Sequence, residues 1–300
     1  MSLEHVTYDA SATDSAGRCP GTHKARDGTT APLVLEWISS MPIGLAISLV
    51  QLRDELSTNK SPQRRPEEVR TLPFAGIHLD GREGRAALAY ELLYLPTNLR
   101  DVLVGLDKPM PEDRCVLAGL VATQVRSLHV HFRNKHMALR TESFVFLWDD
   151  ATTGPASSGK RSGGGGLGAL DLREPYLLDW GRESLPSVYQ HPDYDPSRKL
   201  WYYDVWSLMM VISEIAEWKP IEVSFRDERD LLRRKLDRRR LVTDVAWRGE
   251  STANVFRYGF DLLDRKRSTL DTMSWSSIKM FFDGLCELLD ADGMPPVARR

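Results

Sequence analysis

The amino-acid sequence predicts an α+β protein with a small β-rich N-terminal lobe and a larger, mainly helical C-terminal lobe. Residues 32–96 combine short apolar runs that suit strands with one helical stretch, and from Pro111 the apolar spacing becomes mostly helical. Strands followed by helices along the chain are typical of α+β folds, in which the helices pack on one side of the sheet. The composition agrees, because 42% hydrophobic and 27% charged residues are ordinary for a globular chain of 300 residues.

Charge and cysteine content narrow the classes of function. The formal net charge of −2 provides no overall field that would recruit nucleic acid or an anionic membrane. Three widely separated cysteines (Cys19, Cys115 and Cys286) fit a reducing compartment better than a disulfide framework. The first 30 residues lack a signal-peptide core, and no apolar run approaches the roughly 20 residues of a membrane helix. We therefore expect a soluble, cytoplasmic protein.

The N-terminal lobe is expected to span residues 32–108. Residues 1–31 are rich in small and polar residues without periodicity, which predicts a flexible arm. The run "PLVLEWI" at 32–38 predicts a strand, and the apolar spacing within 43–56 predicts a helix. Further along, "LPFAGIHLDG" and "RAALAYELLYLP" predict two antiparallel strands that are joined by the turn "DGREG".

The C-terminal lobe is expected to span residues 109–290. A helix should begin near Pro111, because proline and acidic residues favour the first turn. The run "SFVFLW" predicts a short strand, and the Gly- and Ser-rich stretch 151–168 predicts a flexible insert. Residues 202–218 are apolar nearly all round, which indicates a buried helix. The remainder reads as helical, with a polar tail at 291–300.

Four motifs occur in an order that resembles the protein-kinase signature of catalytic loop, D-F-G turn, A-P-E motif and a buried helix that opens with Asp. In chain order the corresponding residues are His136-Met137-Ala138-Leu139 with Ser143, then Asp179-Trp180-Gly181, then His191-Pro192-Asp193, and then Asp204-Val205-Trp206-Ser207. The runs "EIAEWKP", "YELLYLPTNLRDVL" and "VYQHPDY" are similar to a fungal group of kinase-like proteins. The resemblance covers residues 32 to 290 and implies a bilobal kinase-like fold.

The resemblance also implies roles for individual residues. Asp179 would be the remaining ligand for magnesium and ATP. Asp204 would bind the backbone of the catalytic loop, and Trp206, Pro192 and Gly181 would be structural. A protein of this kind would act in fungal signalling or non-self recognition.

Most reactive groups of a working kinase are replaced. The position of the catalytic base is Ala138, which cannot accept a proton, and the metal-binding Asn is Ser143. The best candidate strand for the ATP lysine places Ile38 at that position, and its acidic partner would be Glu55 or Asp54. No glycine-rich loop precedes that strand. We therefore expect a pseudokinase that acts as a binding or signalling scaffold for protein partners and binds ATP and magnesium weakly or not at all.

Two alternatives remain open. The chain could be a divergent active kinase, in which Glu142 is the only nearby acid that could serve as the base. It could instead be a helical interaction protein whose motif matches arise by chance.

Three other patterns are better explained without a special site. The run "GPASSGK" at 154–160 resembles a phosphate loop, but Arg161 stands where Ser or Thr should bind magnesium and glycines follow where a helix must begin. The basic cluster at 231–240 follows compensating acidic residues and suits a solvated helix face. The spacing of three histidines does not suit a metal site on one helix face (His129, His131 and His136).

Overall fold

The structure is a computed structural model, and it describes most but not all of the chain. The described residues are 2–14, 16–38, 69–81, 85–148, 170–179, 185–221, 226–233 and 250–293. Several expectations concern residues outside these ranges: the helix at 43–56 with Asp54 and Glu55, the insert at 151–168, Trp180, Gly181 and most of the tail.

Six strands of the N-terminal part form one sheet. They are β1 (Ser2–Leu3), β2 (Val6–Tyr8), β3 (Arg18–Lys24), β4 (Thr30–Ile38), β5 (Phe74–Asp80) and β6 (Arg85–Tyr90). Their order across the sheet is β1-β5-β6-β4-β3-β2, and every pair is antiparallel except β1 with β5. The predicted strand at 32–38 is confirmed, as is the predicted hairpin, in which Asp80 lies opposite Arg85.

The prediction of a flexible arm at residues 1–31 is wrong. This segment contributes β1, β2 and β3 to the sheet, and β3 pairs with β4 from Arg18 opposite Glu36 to Lys24 opposite Thr30. The strand sequence "RCPGTHK" has no apolar alternation, and backbone pairing with an apolar neighbour holds it in place. Periodicity therefore could not reveal this strand.

A second, smaller sheet and six helices form the rest of the described fold. The sheet has the order β7-β8-β9, with β7 at Thr97–Asn98, β8 at Phe144–Phe146 and β9 at Tyr176–Leu177. The helices are α1 (Leu99–Gly105), α2 (Pro111–Val130), α3 (Trp201–Glu217), α4 (Glu250–Leu263), α5 (Arg267–Asp271) and α6 (Trp275–Gly293). The α+β class is confirmed, as are the helices predicted from Pro111 and at 202–218.

Helix α3 lies at the centre of the helical part. All of its residues except Glu217 are buried, and its Asp204 belongs to a polar cluster described below. Helix α2 packs against both α3 and α6, and α4 packs against α3 and α6. None of the helices in the described ranges is long and apolar enough to cross a membrane.

Alternation along β4 directs a charged residue into the main core. Leu33 and Leu35 pack in a small apolar cluster on one face of the sheet, whereas Ile38 belongs to the large core shared with the helices. Because side chains alternate along a strand, Glu36 shares the face of Ile38 and is fully buried. The sheet therefore presents a carboxyl group to the protein interior.

Two valines in neighbouring helices provide a matched test of this packing. Val121 in α2 is fully buried, whereas Val104 in α1 is 73% exposed. We expect Val121→Ala to lower the free energy of unfolding by about 2 kcal/mol, because it removes two buried methyl groups and leaves a cavity. Val104→Ala should change it by less than about 0.5 kcal/mol. Urea unfolding of both variants checks this, and equal losses would contradict the packing.

Candidate functional site

The segment 136–143 is held at the start of α3 by Asp204. The two carboxylate oxygens of Asp204 accept backbone N–H bonds from His136 at 2.8 Å and from Met137 at 2.7 Å. The Nε2 atom of His129, near the end of α2, lies 3.0 Å from the same carboxylate. Asp204 is fully buried, so these contacts replace the water that an ionised carboxylate would otherwise require.

The electrostatics of Asp204 agree with this structural role. Burial by itself would raise the pKa of Asp204, but the hydrogen bond and charge of His129, together with the contacts of His136, lower it below the ordinary value of 3.8. Burial lowers the pKa of the His136 imidazole, whose Nε2 lies 2.6 Å from the carbonyl oxygen of Leu178. The carboxylate is thus favoured in its ionised form, and His136 in its neutral form.

The structure brings three of the predicted site positions together. The hydroxyl oxygen of Ser143 lies 3.1 Å from the carbonyl oxygen of Ala138 and 3.2 Å from Oδ2 of Asp179. Ser143 and Asp179 are fully buried, and Ala138 is nearly so. Ser143 and Asp179 are 36 positions apart, and they meet because β8, which follows Ser143, pairs with β9, which precedes Asp179.

Two arginines hold the carboxylate of Asp179. Nη2 of Arg18 lies 3.1 Å from Oδ1, and Nε of Arg140 lies 3.0 Å from Oδ2. Arg18 opens β3, so the first contact joins the six-stranded sheet to the segment that follows β9. Nη2 of Arg18 also donates to the backbone carbonyl oxygen of Glu142 at 2.8 Å.

Two further residues of the sheet complete the cluster. Glu36 lies opposite Arg18 in the strand pairing, and its Oε2 accepts a hydrogen bond from the Tyr90 hydroxyl at 2.9 Å. Burial raises the pKa of Glu36 to about 8; the charge of Arg18 opposes this rise, whereas the charge of Asp179 and a hydrogen bond with it add to the rise. The protonated form of Glu36 is therefore favoured near neutral pH.

The backbone is unusual at two of the predicted positions. Met137 has φ of 65° and Asp179 has φ of 66°, in the left-handed region that residues with a Cβ rarely adopt. Such conformations cost about 1–3 kcal/mol each and occur preferentially at functional sites. In this protein the contacts of Asp204 and of the two arginines hold these conformations.

The cluster does not fit the magnesium and ATP that the kinase resemblance implies. Magnesium needs free carboxylate oxygens and keeps several of its waters. Asp179 is fully buried, and each of its oxygens already accepts a charge-assisted hydrogen bond from an arginine. Ala138 and Ser143 supply neither a carboxylate nor an amide oxygen. Magnesium could bind only if Arg18 and Arg140 moved away.

The other predicted residues lie around or outside the cluster. Ile38 packs in the main core, and Glu36, two positions earlier, is the residue of β4 that reaches the cluster. Trp206 is buried, with its ring centroid 5.5 Å from that of His191, which suits the structural role assigned to it. Pro192 is exposed. Gly181 lies outside the described residues.

The three histidines do not converge on a metal. His129 and His136 both contact Asp204, and the ring of His129 also stacks on Phe282 with centroids 5.0 Å apart. Within the described ranges, no group of three or more His, Cys, Asp or Glu side chains is arranged to hold a metal ion.

Sequence reasoning missed four members of the cluster: Arg18, Glu36, Tyr90 and Arg140. Arg18 lay in the segment predicted to be a flexible arm, and Tyr90 and Arg140 carry no motif. Glu36 did leave a signal, because a lone acid in the apolar run "PLVLEWI" must point into the core if its neighbours at positions 34 and 38 do.

Comparisons with known proteins do not assign a family. A scan against protein-family models finds no match for this sequence, and a search of curated proteins finds no significant match either.

Removal of the Asp204 carboxylate should be severe. Asp204→Ala would leave the buried backbone N–H of His136 and the half-buried one of Met137 without this acceptor. We therefore expect the free energy of unfolding to fall by about 3–5 kcal/mol. The exposed Asp107→Ala provides the control and should change stability by less than about 0.5 kcal/mol. Urea unfolding monitored by circular dichroism checks this, and a loss below about 1 kcal/mol would contradict the structural role of Asp204.

The raised pKa of Glu36 predicts a particular pH dependence. Between the ordinary value of 4.5 and about 8, the folded state binds a proton that the unfolded state has lost. Stability should therefore decrease as pH rises through this window, by at most about 1.4 kcal/mol per pH unit, and the contribution should be gone above pH 8.

Glu36→Gln isolates this effect, because the amide keeps a donor and an acceptor in place of the protonated carboxyl but does not titrate. The difference in unfolding free energy between wild type and Glu36→Gln should change across the window and become flat above it. Equal pH profiles for the two proteins would show that Glu36 is not protonated in the folded state.

Proposed function

We propose that the chain is a kinase-like module without phosphotransfer activity, a pseudokinase that acts as a binding or signalling scaffold. The observation that carries this proposal is the meeting of Ala138, Ser143 and Asp179 in one buried cluster beside Asp204. Ser143 and Asp179 are 36 positions apart, and a chance match to the kinase signature in a helical interaction protein would not be expected to bring them into contact.

The contacts of Asp204 support the same proposal. The resemblance implies that this residue binds the backbone of the catalytic loop, and in the structure it accepts from the backbone of His136 and Met137. In this proposal the six-stranded sheet is the small lobe and the helices form the large one. The small lobe then begins with β1 and β2, well before residue 32.

Chemistry argues against catalysis by the usual mechanism. Loss of a general base costs typically about 10²- to 10⁴-fold in rate, and Ala138 cannot serve as one. Positioning by metal and phosphate ligands supplies most of the remaining rate enhancement in phosphoryl transfer. The carboxylate that would bind the metal is instead neutralised by two arginines.

One observation favours a divergent active kinase as the second candidate. Arg18 and Arg140 place two positive charges at Asp179, where the phosphates of a nucleotide would lie in a kinase. The candidate base, Glu142, has its carboxylate 3.9 Å from Nε of Arg140 and 3.9 Å from Nε of Arg100. The Glu142 side chain therefore lies between Arg100 and Arg140.

A thermal-shift titration with ATP, with and without magnesium, separates the two candidates. A ligand that binds only the folded state at a hundred times its Kd adds about 2.7 kcal/mol of stability. We expect no magnesium-dependent shift at millimolar ATP and no transfer of the γ-phosphate to the protein or to a generic substrate.

Asp179→Asn is the matched variant, because it keeps the shape of the side chain and removes its charge. A magnesium-dependent shift in wild type that this variant loses, together with phosphate transfer, would establish the divergent kinase and refute our proposal. A shift with ATP alone, without transfer, is compatible with a pseudokinase that binds nucleotide.

A further inference from the structure

Four oxygen-bearing groups surround the guanidinium of Arg18. The Oδ1 of Asp179 and the backbone carbonyl oxygen of Glu142 accept from Nη2, at 3.1 and 2.8 Å. The Oδ2 of Asp14 lies 3.8 Å from Nη1, and Glu36 lies opposite Arg18 on the adjacent strand. The charges of Asp179, Glu36 and Asp14 raise the pKa of Arg18, against the effect of its burial.

The groups around Arg18 come from separate parts of the fold. Asp14 precedes β3, Glu36 lies in β4, Glu142 precedes β8 and Asp179 follows β9. The Arg18 side chain, which is completely buried, therefore places one positive charge among groups from four segments of the chain. Loss of that charge would leave several acidic groups close together in the protein interior, which is costly.

The cluster also has hydrogen-bonding capacity that Arg18 does not use. Within the described residues, Oδ2 of Asp14 and Oε1 of Glu36 are buried without a hydrogen-bond donor, and Nε and Nη1 of Arg18 are buried without an acceptor. Nη1 of Arg18 and Oδ2 of Asp14 lie 3.8 Å apart, slightly too far for a direct hydrogen bond.

The geometry points to a guanidinium-binding site that the chain fills with its own Arg18. The side chain acts as a tethered cation that joins β3 to the segments at Glu142 and Asp179. The spacing of the groups around Arg18 suits a planar organic cation and not a bare metal ion. The carboxyl groups of Asp14, Glu36 and Asp179 do not form a metal-binding group. This inference does not depend on the kinase resemblance.

Truncation of Arg18 tests the inference through chemical rescue. Arg18→Ala should lower Tm substantially, and free guanidinium at low millimolar concentration should enter the vacated space and raise Tm by at least about 2 °C, with saturation. Sodium chloride at the same ionic strength should not reproduce this rise. Wild type should show only the slight linear decrease that guanidinium causes as a denaturant.

Two variants control for non-specific effects. Arg198→Ala removes an arginine from a partly exposed pair with Asp271, so guanidinium should not rescue it. In the double variant Arg18→Ala with Asp179→Asn, the main partner of the cation loses its charge, and we expect at least a tenfold weaker apparent affinity for guanidinium. A rescue that is equally strong in the double variant would overturn the assignment of Asp179 as the main partner.

The remaining outcomes also decide the question. If Arg18→Ala folds and neither guanidinium nor sodium chloride has a saturable effect, no site exists and the inference fails. If Arg18→Ala does not fold alone, refolding is compared in low millimolar guanidinium and in sodium chloride. Recovery of folded protein in guanidinium but not in sodium chloride supports the inference. Failure to refold in both solutions overturns it. Phosphate transfer by wild type would refute the proposed function but leave this result unaffected.

Discussion

The buried ion pair between Arg18 and Asp179 is the interaction on which the rest of the site depends. It joins the first residue of a strand in the six-stranded sheet to a residue 161 positions later, beside the helical part. Both side chains are fully buried, so each requires the other to offset the cost of leaving water. Three further side chains surround this pair. Arg140 contacts Asp179, Glu36 lies opposite Arg18, and Tyr90 donates a hydrogen bond to Glu36.

The buried pair of Arg18 and Asp179 need not add net stability. Replacement of a whole buried ion pair by apolar groups is often neutral, whereas removal of one partner is strongly destabilising. Around Asp179, burial favours the protonated form of Glu36, and two arginines supply positive charge. These contacts join the sheet to the segments at 140–143 and 179.

In the proposed pseudokinase, the same charges would account for the absence of kinase chemistry. In a working kinase the carboxylate aligned with Asp179 is available to magnesium. In this protein Arg18 and Arg140 take both of its oxygens, and Ala138 has no group that could accept a proton. Asp204, in contrast, has a role in holding the backbone, and that role does not require catalysis.

The sequence by itself determined the elements whose apolar residues follow a regular period: β4, the β5–β6 hairpin and helices α2 and α3. It also predicted Asp179, Ser143 and Asp204 as site residues through their order along the chain. Only the tertiary structure showed that Arg18, in a segment without apolar periodicity, forms part of the sheet and pairs with Asp179. Local pattern reports which side chains prefer to leave water, whereas the partner of a buried charge is set by contacts between distant segments.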